Sequence, residues 1–231
     1  MEEDKIGLLS VVATPIGNLE DITLRALRVL SEADYLLCED TRVTGKLLAR
    51  HEIKVRMRRY DAHASDKVHE EILCDLEEGK HIALVSDAGT PGVSDPGVFL
   101  VAKIRAELPE VRIDAVPGAS AVTTAFSIAG IAGNQFAFLG FIPQKKGRQT
   151  FFKSLSSHDL PVIFFESTHR IMKTLESLSE SSPEAKVYVG RELTKMHEEM
   201  IIGSAKEIMQ QLETEPVRQK GEFVIIVDNK S

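Results

Sequence analysis

Short β-branched and apolar runs alternate with longer amphipathic stretches along most of this chain, and that alternation constrains the fold more than any other feature. Leu8–Ala13, Tyr35–Cys38, Ile82–Ser86 and Val111–Val116 read as buried strands bounded by turn residues. Between them Thr23–Ala33, Thr41–Arg50, Asp66–Glu78 and Pro96–Leu108 carry apolar residues at helical spacing, as Val68, Ile72, Leu73 and Leu76 illustrate. A β-α alternation of this kind predicts a mostly parallel sheet with helices on both faces.

The second half repeats the theme with a different finish. Phe136–Phe141, Pro161–Phe165 and Lys186–Gly190 read as strands, with helices over Lys146–Ser156 and Thr168–Ser179. The strands then crowd together: Met200–Gly203, a helix over Ala205–Glu213, and Phe223–Asp228. This pattern predicts a mixed sheet with antiparallel edges. At 231 residues the chain accommodates one large domain or two small ones. The strand end and Pro-Gly turn in Ala115–Ser120 place the boundary, giving an α/β protein with domains 1–117 and 118–231.

In open α/β sheets ligands bind outside the carboxyl ends of the strands, and four such ends are rich in Gly, Pro and small polar residues. They are Ala13–Thr23, Ser86–Gly97, Val116–Ala121 and Phe165–Arg170. Small residues let backbone groups approach a ligand, and proline stiffens the turn. Any one loop is equally explained by turn punctuation, or by Asp21, Ser94 or Thr168 capping a helix. Ser86–Gly97 is different, because three glycines, two prolines and two aspartates within it exceed what a turn requires. Neither a G-x-G-x-x-G opening nor a G-x-x-x-x-G-K-[ST] phosphate loop is present, which disfavours dinucleotides and nucleoside triphosphates.

Two charged segments follow strand ends. In Glu39-Asp40-Thr41-Arg42, Asp40 is at once a helix cap and a candidate for the site. Gly190–Glu199 carries six ionisable residues among ten, including Arg191 and Lys195. Histidines are scattered, and no His/Cys spacing suits a metal, so none is expected. No G-x-S-x-G elbow occurs either.

The 28 basic residues against 35 acidic ones leave a net charge of −7, a balance that by itself argues against a nucleic-acid partner. The basic residues are unevenly placed, however. Lys46, Arg50, Lys54, Arg56, Arg58 and Arg59 fall within fourteen residues beside one acid, Glu52, and Lys145, Lys146 and Arg148 form a second cluster. Runs of this kind are often only solvated faces; two of them flanking one set of ligand loops suggest an RNA surface. No apolar run approaches the roughly 20 residues that span a bilayer. Met1–Lys5 is acidic where a secretory signal is basic, and the two cysteines form no Cys-x-x-Cys motif. These features predict a cytoplasmic protein without a membrane partner.

Eight motifs, in order, resemble a known family. They are T-P-I-G-N-L-E-D-I-T (Thr14–Thr23), C-E-D-T-R (Cys38–Arg42), S-D-A-G-T-P-G-V-S-D-P-G (Ser86–Gly97) and V-P-G-A-S-A (Val116–Ala121), followed by G-F-I-P (Gly140–Pro143), F-E-S-T-H-R (Phe165–Arg170), G-R-E-L-T-K-M-H-E-E (Gly190–Glu199) and G-E-F-V-I (Gly221–Ile225). Together they resemble the bacterial 16S ribosomal RNA cytidine 2′-O-methyltransferases of the tetrapyrrole methylase superfamily, over nearly the whole chain. The family commonly has Pro at Ala119 and Tyr-Glu-Ser-Pro at Phe165–Thr168.

The resemblance implies a class III methyltransferase of two α/β domains, usually a homodimer, with S-adenosylmethionine in the cleft between the domains. Carried over by position, Asp87, Ala88, Gly89, Thr90 and Val93 would hold its methionine and ribose portions. Ser120 and Ala121 would contact it from the linker, and Phe165, Glu166 and Ser167 would enclose the adenosine end. Pro15 and Gly17 would complete the cofactor-binding set on its substrate side. The implied substrate is a cytidine ribose of 16S RNA in the small ribosomal subunit. Asp40 or Lys195 would take or direct the hydroxyl proton, while Arg42 and Arg191 would orient the RNA. Lys46, Arg50, Arg56, Arg58, Arg59, Lys145, Lys146 and Arg148 would form the basic rim. The competing expectations are methylation of a tetrapyrrole or other small substrate on the same fold, and a non-catalytic RNA- or cofactor-binding module.

Overall fold

The computed structural model of the chain describes residues 6–230; the acidic Met1–Lys5 segment lies outside the described residues. The chain divides into two compact units that meet between Ser120 and Ala121.

The first unit contains β1 (Leu8–Val12), α1 (Leu24–Glu32), β2 (Tyr35–Cys38), α2 (Thr41–Arg50), β3 (Met57–Arg59), α3 (Asp66–Glu77), β4 (His81–Leu84), α4 (Gly97–Glu107) and β5 (Arg112–Val116). Its five strands run in the order β3-β2-β4-β1-β5, and every pair is parallel. The period of two sorts the side chains onto two cores. Leu9, Leu37, Ile82 and Leu84 meet Ile72 and Leu76 of α3 and Leu100 and Ile104 of α4 on one face. Val12, Leu36 and Ala83 meet Ala26 and Leu30 of α1 and Leu48 of α2 on the other. Helices therefore cover both faces, as near-continuous apolar strands require.

Strand β3 is not anticipated by the sequence pattern. It spans three residues, Met-Arg-Arg, at the edge of the sheet, where positive side chains also discourage pairing with another chain. Part of the basic run Lys46–Arg59 is thus an edge strand.

The second unit contains α5 (Ala121–Ala129), β6 (Ala137–Phe141), α6 (Arg148–Leu155), β7 (Val162–Ser167), α7 (Ile171–Ser181), β8 (Lys186–Arg191), β9 (Glu199–Gly203), α8 (Ala205–Thr214) and β10 (Glu222–Asp228). Helix α5 is also unforeseen; its sequence AVTTAFSIA carries no charged residue, and Thr123, Thr124 and Ser127 give it only a weakly polar face. The strand order is β6-β7-β10-β8-β9, with β6-β7 the one parallel pair among the described strands of this sheet. The sheet is mixed, as expected, and its β9 edge is antiparallel. The expectation is corrected at the other edge, where β6 pairs parallel with β7, and antiparallel pairing also runs through the centre because the last strand, β10, inserts between β7 and β8. Helices α6, α7 and α8 pack Phe152, Leu155, Leu175, Leu178, Ile208 and Leu212 against Val162, Phe164, Val187, Val189 and Ile225.

Phe164 is fully buried in that core. Phe164→Ala is expected to destabilise the second unit by about 3–5 kcal/mol, read as a shift of its urea unfolding transition, since truncation loses both transfer free energy and packing.

Candidate functional site

Parallel pairing places the carboxyl ends of β1, β2, β4 and β5 on one edge of the first sheet, so their loops meet. The β1 loop and the β4 loop are joined by a two-residue bridge: the Thr14 amide donates to Gly89 O (2.9 Å) and the Gly89 amide to Thr14 O (3.1 Å). The Thr14 hydroxyl donates to Ser86 O at 3.1 Å, and the Ser86 hydroxyl to Gly89 O at 3.2 Å. Toward β5, the Ala13 amide donates to Val116 O at 3.0 Å and the Thr90 hydroxyl to Ala119 O at 3.3 Å. Three separate Gly/Pro-rich segments thus form one hydrogen-bonded platform.

Glycine is required at two points of it. Gly89 has φ of +82°, and a Cβ there would lie 3.4 Å from Ile16 Cγ2; one on Gly118 would lie 3.0 Å from Ala13 Cβ. The far half of the β4 loop is closed by Asp95, whose carboxylate accepts from the Gly92 amide (2.8 Å) and the Gly97 amide (2.9 Å). Asp87, Ala88, Val93 and Gly17 remain exposed on the platform, whereas Pro15 is buried beneath it. Ser120 ends the first unit and Ala121 opens α5.

The β2 loop joins the same platform through its acids. The Asp40 amide donates to Asp87 Oδ1 at 3.1 Å, and the Asp87 amide lies 3.4 Å from Glu39 Oε1. Asp40 caps α2 through the Arg42 amide (2.8 Å) and grips the Arg42 guanidinium at 2.6–3.1 Å. Both readings of Asp40 therefore coexist. The side-chain hydrogen bond from Arg42 holds its carboxyl well below the usual carboxylate range, which makes it a weak proton acceptor. Glu39 moves the opposite way. Burial raises its pKa, the charges of Asp87, Asp95 and Asp61 add to the rise, and the Asp87 amide offsets only part of it. Among these carboxylates Glu39 holds a proton more tightly than Asp40. The sequence signal for it was its place beside Asp40 in C-E-D-T-R.

In the second unit, several residues expected at the site turn inward. Glu166 is 2% exposed; its carboxylate takes the Ser167 amide (2.7 Å), Arg170 Nε (2.7 Å) and the Thr174 hydroxyl (2.7 Å). Its side chain belongs to this buried network, which corrects its expected role in enclosing a ligand. Phe165 faces the other side of β7, edge-on to Phe138 and Phe141 at 5.0 and 5.2 Å, and Ser167 is half-buried. Arg191 is also corrected. It is 7% exposed, and its donors go to Lys220 O (2.7 Å), Glu199 Oε1 (3.0 Å) and His197 O (3.3 Å). It ties the β8–β9 turn to the segment before β10 and has no group left for RNA.

That turn carries Glu192 and Thr194 at φ of +48° and +66°, a conformation that L side chains disfavour. Lys195 Nζ donates to Glu192 Oε1 and Glu222 Oε2, both at 2.9 Å. Burial works against its charge, but these two carboxylates outweigh that and raise its pKa. Lys195 is therefore held as an ammonium; it can direct a proton or steady a negative charge but does not accept a proton.

The basic rim divides similarly. Lys46, Arg50, Arg56, Lys145 and Lys146 are exposed. Arg58 pairs with Glu71 and Arg59 with Asp61, which reduces what they offer a polyanion. Arg148 is buried, its Nη2 donating to Thr174 Oγ1 at 2.9 Å and its guanidinium 5.0 Å from the Phe152 ring centre. Its assignment to an exposed rim is corrected. Among the described residues, no three His, Cys, Asp or Glu side chains come together as a metal set, and no helix is long and apolar enough to cross a membrane.

The model of the family described as Tetrapyrrole (Corrin/Porphyrin) Methylases matches residues 8–209. A Thermotoga maritima protein named Ribosomal RNA small subunit methyltransferase I is 41% identical over 97% of this chain and all of its own length. A protein of the same name from Escherichia coli O157:H7 is 42% identical over 96% of this chain and 78% of its own. Among solved structures, a diphthine synthase superposes with a TM-score of 0.72 at 16% identity, covering 97% of this chain and 91% of its own. A cobalt precorrin-4 methyltransferase superposes with a TM-score of 0.70 at 19% identity, covering 96% and 94%.

Folding raises the pKa of Glu39, so the folded chain binds its proton more tightly than the unfolded chain does. The stability this contributes is complete below the ordinary carboxylate range and is lost as pH rises through the raised value. Glu39→Gln, which keeps an acceptor for the Asp87 amide, is expected to match wild-type thermal stability in acid and to exceed it at neutral pH. Melting curves across pH 3–8 in steps of about 0.5 check this.

Proposed function

The chain belongs to the tetrapyrrole (corrin/porphyrin) methylase family, and from that premise we propose that it transfers a methyl group from S-adenosylmethionine to a cytidine ribose 2′-hydroxyl in the 16S RNA of the small ribosomal subunit. The observation that carries the reading is the joining of the β1, β2, β4 and β5 loops into one platform. Four of the eight motifs that mark the resemblance are the segments that bond to one another there. The names of the relatives support the RNA substrate.

The platform suits that cofactor. The positive φ of Gly89 and the tight approach of Gly118 keep side chains away from a ligand lying along the strand ends. Exposed carbonyl, amide and carboxylate groups around Asp87–Val93 offer hydrogen bonds without cations, as a ligand lacking a polyphosphate requires. Asp87, Ala88, Gly89, Thr90 and Val93 would hold it, with Ser120, Ala121, Phe165 and Ser167 as further contacts and Pro15 and Gly17 toward the substrate. When bound, the cofactor supplies a methyl group on a sulfonium.

An in-line displacement gains most from positioning the hydroxyl. Arg42, 86% exposed at its side chain while Asp40 fixes its direction, would orient the RNA backbone. Lys195, held as an ammonium by Glu192 and Glu222, would steady charge as the hydroxyl loses its proton. Of the strand-end carboxylates, Glu39 is the better acceptor for that proton, and Asp40 acts through Arg42. The assembly we propose is a cytoplasmic homodimer, and the free thiols Cys38 and Cys74 agree with a reducing compartment.

Incubation with methyl-labelled cofactor and, in turn, small subunits, free 16S RNA and no RNA tests the reading. Label on one cytidine 2′-oxygen, and none without RNA, is expected; label on a small acceptor alone, or no transfer to either RNA sample, overturns it. Arg42→Ala and Lys195→Gln should each slow single-turnover methylation by about 100-fold with saturating cofactor, with the thermal transition retained.

A further inference from the structure

The second unit carries a groove of about 1000 Å³ that the motifs do not account for. One wall is the segment leading into α6 and the helix itself, from Gln144 to Ser156; the other is α7, from Lys173 to Ser181. Lys145, Lys153 and Lys173 line it with exposed ammonium groups. Among the described residues none of the three has an ion-pair partner, and Glu180 is the one acid in the lining. At the base, Arg148 is 9% exposed, and its Nη1 makes no hydrogen bond, standing 3.8 Å from Glu166 Oε2.

The entrance to α6 adds to this field. Its N-cap is Gly147 at φ of +90°, and no side chain caps its first turn. The Arg148 amide donates to Lys145 O at 3.3 Å and the Phe151 amide to Gly147 O at 2.9 Å, and the positive end of the helix dipole adds to the field there. Gln149 and Thr150 lie there, exposed, with side chains suited to phosphate oxygens.

We propose that the groove between α6 and α7 binds the phosphate backbone of RNA. Small-molecule pockets are mostly apolar and enclosed, whereas this groove is open, every lining side chain except Phe152 is polar or charged, and Phe152 is buried in the core. A membrane-binding surface would present exposed apolar side chains beside the lysines, and this lining has none. Several unpaired cations along a furrow match a chain of repeated negative charges. The lysines here give affinity and register without reading sequence. The inference rests on the RNA reading given under Proposed function and extends the substrate contact beyond Lys145 and Lys146, to Lys153 and Lys173.

The test uses the full chain carrying Lys153→Gln and Lys173→Gln together. Both side chains are exposed, so the fold tolerates the changes. Lys206→Gln on α8, outside the lining, serves as control. Binding to 16S RNA is followed across salt concentrations, alongside steady-state methylation of small subunits. The double variant should bind about 10-fold more weakly at moderate salt, with a salt slope smaller by roughly 1.5. Its KM for the RNA substrate should rise while kcat stays within about twofold, as expected of contacts made equally in ground and transition states. The control should match wild type.

Unchanged affinity and slope in an enzyme that methylates subunits overturn the groove and leave the function standing. A fall in kcat with KM unchanged also overturns it. Wild-type protein that methylates neither subunits nor 16S RNA removes the function reading, and this one with it. A polyglutamate probe bound as tightly as RNA, with the same dependence on both lysines, would make the groove a general acid-binding surface and overturn the RNA assignment.

Discussion

Parallel pairing of β1 with both β4 and β5 is the constraint on which the site depends. Parallel strands bring all their carboxyl ends to one edge, and each return crossing needs a helix. The loops after β1, β2, β4 and β5 then have no choice but to share that edge. Thr14 and Gly89, 75 residues apart in the chain, exchange two backbone hydrogen bonds because of it. The Thr14 and Thr90 hydroxyls extend the same stitching to Ser86 and Ala119. A ligand surface made of backbone groups is useful only if it is stiff, and these bonds limit the ordering cost of binding.

On that edge two adjacent carboxyls are driven apart. Arg42 pulls Asp40 down, and burial with three neighbouring acids pushes Glu39 up. Environments that separate like groups in this way assign different proton roles to each. Asp40 is the group that orients Arg42; Glu39 is the group able to take up a proton. Lys195 reaches its fixed charge by another route, through Glu192 on a turn held in unfavourable backbone geometry and Glu222 at the start of β10.

The backbone plan was legible because it rests on periodicity. Strands such as Tyr35–Cys38 and helices such as Thr41–Arg50 fall where apolar spacing puts them. Three-residue β3, with two arginines, offers no period to read, and α5, with no charged residue, offers only a weakly polar face. The insertion of β10 between β7 and β8 is a matter of long-range pairing, to which local pattern is blind. The candidate site was legible as motifs, not as side-chain directions. Arg148 looked like one of three cations, yet it shares the i, i+4, i+7 stripe of Phe152 and Leu155 and turns inward with them. Arg191 follows Val187 and Val189 at a period of two onto a covered face, and Glu166 follows Val162 and Phe164 in the same way. Period arguments applied to charged residues would have placed all three.

If the stitched strand ends are the cofactor platform, the backbone conformation at Gly89 is its most sensitive point. Titration calorimetry of S-adenosylmethionine into Gly89→Ala and wild-type protein measures this directly. An added Cβ at φ of +82° strains the loop backbone, with Ile16 Cγ2 already at 3.4 Å. The account expects affinity at least about 10-fold weaker, the equivalent of roughly 1.4 kcal/mol, with the unfolding of the second unit unchanged. Wild-type affinity in Gly89→Ala would contradict it.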